Sequence, residues 1–498
     1  MGGAIVSCLM VTLVFGCAVG PDFRRPTPPE VTSYARPSLA PTTASASVAG
    51  GEAQRFIYAR DLSGQWWTLF ESPPLTRLIE EALNASPTLI SAKAALQQAR
   101  ELVLAQRGSY FPSVQGSFAA SRQQASAALS PPLSTSELRF DLYTTQAALN
   151  FTLDVFGANR RQVEALLGSA EAQAFQLEAA YLTLTAGLAT AAIQEASLRS
   201  QIAAAREIID ISEKSLTLVR RQFELGAVAG LDVSAQEASF AQVQQALPPL
   251  QKQLEQTRNL LAALSGRLPS DEPAETFEMA SLHLPGDLPM GLPSRLVEHR
   301  PDVRAAEAQM HAASAQIGVA LANRLPQFTI TAAGGGTSTN LTQMFANSNP
   351  FWVVAGNLSQ SIFDGGTLLH RQRAAEAAFE QSAAQYRGTV IGAFQSVADA
   401  LYALQADAQS LNAAVAAEQA SKASLDLTLA AQQLGGVSYV AVLNAQQAYR
   451  QALLTRVQAQ SARLSDTVLL FQSLGGGWWN RPPRQAATSP SSPSDGRE

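Results

Sequence analysis

Between residues 160 and 225 the chain places an apolar residue at alternating steps of four and three. The stripe runs Leu177, Tyr181, Leu184, Leu188, Ala191, Leu198, Ile202, Ala205, Ile209, Leu216, Val219 and Phe223, with Glu195 and Ser212 as its only polar members. No proline and only Gly168 and Gly187 fall in this stretch. A sustained period of 3.5 residues predicts one long helix that supercoils left-handedly against a partner. A second stripe of Val390, Phe394, Val397, Leu401, Leu404, Ala408, Leu411 and Val415 predicts another over about 368–433. At 1.5 Å per residue each helix would run roughly 100 Å, too long for a compact domain. Each is followed by a glycine-bearing turn and a returning helix, 232–264 and 441–473, so two antiparallel hairpins are expected. Pro248-Pro249 breaks the first return, and the second has no such break. Shorter helices are expected over 87–108 and 301–322.

Between the helices the period drops to two. Val114, Gly116, Phe118 and Ala120 alternate with polar or small residues, as do Leu149, Phe151, Leu153 and Val155. Phe328, Ile330 and Ala332 repeat the pattern, followed by Trp352, Val354 and Leu358. Two β-hairpins are therefore expected, about 112–156 and about 326–363, with loops near Ser130-Pro131-Pro132 and Asn347-Ser348-Asn349-Pro350. Strands with one apolar and one polar face suit an outer-membrane barrel. Four strands cannot close a barrel, and open edges in lipid leave backbone groups unpaired. The chain is thus expected to oligomerise, three copies supplying twelve strands and gathering twelve helices into a hollow cylinder.

The two sets of elements are a duplication. Pro87 and Pro112 bracket one Ala/Leu/Gln-rich stretch and Pro301 and Pro326 another, each pair 25 residues apart. Leu89, Ala92, Ala99 and Val103 reappear 214 positions on as Val303, Ala306, Ala313 and Ile317. Asp154-Val155-Phe156-Gly157 aligns with Ser361-Ile362-Phe363-Asp364, and Gly226 with Gly435. The halves span 61–285 and 286–478, followed by a Pro/Ser-rich tail over 479–498 that reads as disordered.

Composition adds limits. Charged residues make up 15% of the 498, and a net charge of −5 argues against a nucleic-acid partner. Both cysteines, Cys8 and Cys17, lie in the first 17 residues, which excludes a disulfide framework. His283, His299, His311 and His370 stand apart rather than at zinc-ligand spacing. Residues 4–16 form an apolar run too short to span a bilayer as a helix but suited to a signal peptide over 1–16. Val14-Phe15-Gly16-Cys17 ends it like a bacterial lipobox, although no Lys or Arg precedes the run. Cys17 is the expected lipid attachment site, and 17–60 reads as an extended, lipid-anchored linker. No G-x-S-x-G elbow, cysteine nucleophile or phosphate loop points to an enzyme.

Several motifs together resemble a known family, the TolC-like outer-membrane channel subunits of bacterial tripartite efflux pumps, in the lipoprotein branch typified by OprM and NodT. They are Trp66-Trp67-x-x-Phe70 leading into Leu75-x-x-Leu78-Ile79-x-x-Ala82-Leu83, and Leu292-Pro293-x6-Arg300-Pro301-Asp302-Val303-x-x-Ala306-Glu307. Ala315-Gln316-Ile317-Gly318-Val319-Ala320, Cys17-Ala18-Val19-Gly20-Pro21-Asp22-Phe23 and Leu474-Gly475-Gly476-Gly477-Trp478 complete the set, in order along nearly the whole chain.

The resemblance implies a mainly α fold with a small β part. Long antiparallel coiled-coil helices would form a periplasmic α-barrel, and four strands per protomer would complete a twelve-stranded outer-membrane barrel as a homotrimer. It implies a passive conduit for small molecules with no cofactor, partnered by a periplasmic adaptor and an inner-membrane pump of the RND type. The same duct could serve type I protein secretion or metal export. The hairpin turns would form the periplasmic tip, with Gly226, Leu231, Gly435 and Tyr439 meeting the adaptor. Acidic residues at the tip constrict relatives of this kind. Asp232 falls on one such position, whereas Ala441 and Asn444 stand where acids occur in some relatives, leaving Asp232 and Asn444 as the aperture candidates. Asp232 also suits a helix cap.

Overall fold

A strand β2 (Ser113–Gln124) pairs antiparallel with β3 (Arg139–Leu153), and β5 (Gln327–Ser338) with β6 (Pro350–Ser359). These are the two expected hairpins, and β3 pairs antiparallel with β5 to join them in one sheet of order β2-β3-β5-β6. The computed structural model describes residues 18–31, 33–34, 40–124, 139–271, 275–346 and 348–481. Cys17, the signal peptide, the loop through Ser130-Pro131-Pro132 and residues 482–498 of the tail lie outside the described residues. The chain divides into two units, one built from 1–26, 93–175 and 305–388, the other from 27–92, 176–304 and 389–498.

The first unit carries the sheet. The register puts Val114, Phe118, Trp352, Val354 and Leu358 on one face of the sheet, and all five are exposed, so the chain does not cover this apolar face with a core of its own. Gly334-Gly335-Gly336 lies inside β5, and a Cβ at Gly335 would sit 2.0 Å from the Thr145 carbonyl oxygen. These glycines serve close strand approach. Helices flank the sheet: α2 (Pro87–Arg107) leads into β2, α3 (Ala158–Glu224) follows β3, α7 (Pro301–Ala322) precedes β5 and α8 (Thr367–Gln433) follows β6. Asp154 accepts hydrogen bonds from the Asn159 and Arg160 N–H groups, capping α3. Asp364 does the same for Gly366 and Leu368 at α8, and these bonds hold its carboxyl below the usual carboxylate range. The functional counterpart of Asp154 is therefore Asp364, not Ser361 as the sequence echo paired them. The N-terminal segment is extended but pinned. Arg161, buried, bonds the Val19 carbonyl at 3.1 Å and Asp22 at 2.8 Å, Phe23 stacks on His311, and Arg25 pairs with Glu307 at 2.7 Å.

The second unit holds most of the buried apolar side chains. A short α1 (Pro73–Ala85) packs Leu75, Leu78 and Ile79 fully inside, next to a cluster in which Trp66 and Phe70 meet Phe471. Past Glu224 the chain turns and returns as α4 (Gly230–Gln245) and α5 (Leu247–Leu264), divided where Pro248-Pro249 removes the N–H donors a continuous helix would need. After a short α6 (Pro293–His299), the other hairpin returns as one helix, α9 (Tyr439–Ser473). The two long helices have 67 residues each and begin within two residues of the heptad prediction. Most members of their stripes are buried, Leu177, Ile209 and Phe394 are half-buried, and the polar members are paired. Glu195 takes Arg199 at 2.7 Å and Arg258 at 3.1 Å, and Ser212 takes Gln236. Phe223, the last of the first stripe, is exposed. Among the described residues no helix is long and apolar enough to cross a membrane.

Part of the predicted linker is structured. Strand β1 (Arg55–Tyr58) pairs in parallel with β4 (Asp287–Met290), and residues 40–54 lie as a strap along α9. Arg463, fully buried, donates to the carbonyls of Gly50, Ala44 and Glu52 and to the Thr43 hydroxyl. Gln460 donates to Ala49, and Gln54 bonds Thr467. Ala46 and Val48 pack on Leu411, Ala414, Val415 and Ala459.

Candidate functional site at the hairpin turns

Both long helices end in the same backbone device. Gly226 adopts φ +75°, its N–H bonds the Phe223 carbonyl at 2.9 Å, and the Ala227 N–H bonds Gln222 at 2.8 Å. Gly435 adopts φ +75° as well, bonding Gln432 at 2.9 Å, with Gly436 bonding Ala431 at 2.9 Å. This is the Schellman ending, which satisfies the last carbonyls and requires the left-handed conformation that glycine enters without strain. The sequence reading placed Gly226 and Gly435 at turns, and their geometry gives the reason.

The turns display apolar side chains. Leu225, Leu231 (79% exposed), Leu434 (88% exposed), Val437 and Val440 all face solvent. Leu225 and Leu231 stand as far from Gly226 as Leu434 and Val440 stand from Gly435, so each turn presents a matching pair. Tyr439 does not join this surface. As the first residue of α9 it turns inward to 7% exposure, and its hydroxyl has no hydrogen-bond partner among the described residues. Burial, reinforced by the charge of Asp232, raises its pKa. Exposed Leu434, Val437 and Val440 were absent from the sequence candidates. Apolar residues flanking a turn glycine are the signal that would have found them.

Asp232 occupies the third position of α4 rather than the cap itself. Its carboxylate accepts from the Ala229 N–H at 3.1 Å, while its own N–H donates to the Ala229 carbonyl at 3.0 Å. Ala229 holds the cap position with no side-chain acceptor, so Asp232 reaches back to satisfy it, as an acid in the first turn favours. Asn444 is exposed one turn into α9 and lines a groove of about 270 Å³ with Ser212, Ser239, Gln242, Gln447 and Arg450. Asp232 is not among the residues lining that groove. Arg220 and Glu237 pair across α3 and α4 at 2.7 Å, and Tyr449 donates to Glu207 at 2.9 Å from α9 to α3. A shared core of Ile208, Val243, Leu425, Ala445, Tyr449 and Leu453 packs all four helices together behind the turns.

Comparison with known proteins gives a consistent picture. Residues 78–267 and 292–476 match the family described as Outer membrane efflux protein. The chain is 30% identical over 448 residues to the pyoverdine export outer membrane protein OpmQ of Pseudomonas putida, covering 88% of this chain and 93% of that one. It is 30% identical over 482 residues to the toluene efflux pump outer membrane protein TtgF of the same species, covering 95% and 97%. Among solved structures, the outer-membrane channel OprN superposes with a TM-score of 0.81 at 26% identity, over 93% of this chain and all of that one. The open state of the MtrE outer membrane channel of Neisseria gonorrhoeae gives 0.77 at 26% identity, over 93% and 99%.

Proposed function

Because the chain belongs to the outer membrane efflux protein family, we infer that it is the outer-membrane duct of an efflux system, a passive trimeric conduit that carries small toxic compounds outward. The observation that carries this reading is the four-stranded sheet with one exposed apolar face and two edges, β2 and β6, that no described strand pairs. In lipid those edges must be paired, and a threefold ring pairs β2 of each copy with β6 of the next, closing twelve strands. The paired long helices of three copies supply the α-barrel, and a water-filled interior needs no cargo-specific pocket. Relatives named for compounds as unlike as pyoverdine and toluene fit a conduit whose cargo is chosen elsewhere.

The remaining parts follow from this reading. The exposed apolar turns are suited to a periplasmic adaptor, which would link the duct to an inner-membrane pump of the RND type. Three copies of Asp232 near the axis would lend the mouth a negative potential that favours cations. Cys17 would carry the lipid anchor, and palmitate-analogue labelling of wild type but not Cys17→Ser checks it. For the conduit itself, the detergent-solubilised protein should have the mass of three chains and open conducting pores in planar bilayers. A stable monomer or dimer, or a trimer that never conducts, overturns the reading.

A further inference from the structure

Past α9 the chain folds back beside a cavity that conduction does not require. Gly475, Gly476 and Gly477 all take positive φ there. A Cβ at Gly476 would collide with Leu182 of α3, and one at Gly477 with the Ser63 carbonyl oxygen, so only glycine permits this approach. The turn delivers Trp478, whose indole N–H donates to the His299 carbonyl at 2.6 Å, and Asn480, which donates to the Leu62 carbonyl at 2.8 Å. Beside the turn lies a cavity of about 350 Å³, walled by Trp66, Trp67, Tyr181 and Trp478 and closed on one side by Gly475 and Gly476. Packed interiors seldom leave a void larger than a water molecule. Trp66, Trp67 and Tyr181 are buried by their own chain, so these aromatic walls do not depend on a neighbouring copy.

Arg481 stands at the mouth of this cavity. A Cβ on Gly64, another lining residue, would sit 2.7 Å from the Arg481 Cα, which puts the Arg481 backbone on the cavity's edge. The Arg481 guanidinium lies over the Tyr181 ring at 4.7 Å and pairs with Glu178 at 3.1 Å. Its backbone, at φ −72° and ψ 127°, is close to polyproline II. Pro482 and Pro483 come next, and proline fixes its own φ near −65° while holding the preceding residue extended, so the sequence carries that conformation onward. Arg484 follows them, and the carboxylate of exposed Glu80, on the cavity rim, pairs with no cation among the described residues.

We propose that the cavity is the docking site of the chain's own segment Pro482-Pro483-Arg484, with the two prolines between the aromatic walls and Arg484 on Glu80. Aromatic-lined grooves suit polyproline II because the segment is already rigid and loses little freedom on docking. Three residues of that helix span about 9 Å, enough to cross the mouth from Arg481. A segment tethered one residue from its site also has a high effective concentration there, which a free molecule would have to overcome. Docking ties the carboxyl end of the second repeat to α1 and α3, and it does not depend on the channel reading.

Proteolysis of the solubilised full-length protein tests this. Trypsin cuts after Arg484, whereas the Arg481–Pro482 bond resists it because proline follows. Loss of residues 485–498, followed by mass spectrometry, should be about tenfold slower than cleavage of the same bond in a synthetic peptide of residues 480–498, since protection reports the docked population. Glu80→Lys, on the exposed rim, and Pro483→Gly should each bring the rate to within about twofold of the peptide. Equal rates in wild type and peptide, or protection unchanged in both variants, overturn the docking. Paired Glu80→Cys and Arg484→Cys substitutions identify whose tail is docked. A disulfide within one chain is expected, and a cross-linked dimer on a non-reducing gel would give the cavity to a neighbouring copy and overturn the proposal.

Discussion

The two return arms descend from one repeat yet do opposite things. Helix α9 buries seventeen residues, whereas α4 and α5 together bury five. Two local differences account for this. Pro248-Pro249 divides the first arm, and Val457, fully inside α9, stands as far past Gly435 as Pro248 stands past Gly226. The strap over residues 40–54 and the cluster around Trp66 cover the second arm, and among the described residues no segment covers the first arm in that way. Duplicated patterning therefore yields duplicated helices but not duplicated burial, because burial depends on what else in the chain lies over them.

Exchanging the distinguishing residues tests this most severely. Val457→Pro removes a helix hydrogen bond and disrupts a buried contact, so it should destabilise the protein by about 3 kcal/mol or more. Pro248→Ala in the exposed arm should shift stability by less than about 1 kcal/mol. Urea melts of the solubilised protein followed by circular dichroism compare the two, and equal losses would mean the arms are equivalent after all.

Arg463 ties the strap to the second arm. Arg463→Met leaves the carbonyls of Gly50, Ala44 and Glu52 without their buried donor, at an expected cost of about 3 kcal/mol. Protease should then nick the chain within residues 40–54. The exposed first-arm control Lys252→Met should stay within about 0.5 kcal/mol of wild type.

A third contrast is ionic. Asp407 and Asp466 face each other between α8 and α9, where the first hairpin has Leu198 and Thr257 at the corresponding positions. Burial, with the hydrogen bond to Asp466 and its charge, pushes the Asp407 carboxyl up to about 7 against the pull of Arg463. A folded pKa above the ordinary carboxylate value binds a proton more tightly in the native state. The stability it contributes is full below about pH 4 and is lost as the pH rises through about 7. Wild type should therefore melt at a higher temperature at pH 5 than at pH 8, and Asp407→Asn should reduce that difference. An unchanged pH profile in the variant would remove the pair as its cause.

The smallest expected effect on stability is at the turns. Asp232→Asn keeps an acceptor for the Ala229 N–H and should alter stability by a few tenths of a kcal/mol. Single-channel reversal potentials should nonetheless show weaker cation preference, and Ala441→Asp, the equivalent position of the second turn, should strengthen it. Unchanged selectivity in both would leave Asp232 as a capping residue alone.

Much of this protein was legible in the chain alone. The 3.5-residue stripe through Tyr181, Leu188, Leu198 and Val219 was sufficient for the long helix because local period and burial agree there. Gly226 and Gly435 marked the turns, since only a positive φ ends those helices with their carbonyls satisfied. Alternation through Val114 and Phe118 announced strands with an apolar face, and four strands demanded other copies. Tertiary structure alone decided the rest. Residues 40–54 carry no period, so nothing local announced that they would be pinned by Arg463 from more than 400 positions away. Tyr439 looked like a surface residue of the turn, and only the packing of α9 turned it inward. Asp154 and Asp364 share a role that sequence register concealed, because a cap is defined by which N–H groups a carboxylate can reach. Pattern along a chain specifies which elements form; which of their faces are covered is a property of three-dimensional neighbours, and here those neighbours come from segments with no pattern of their own.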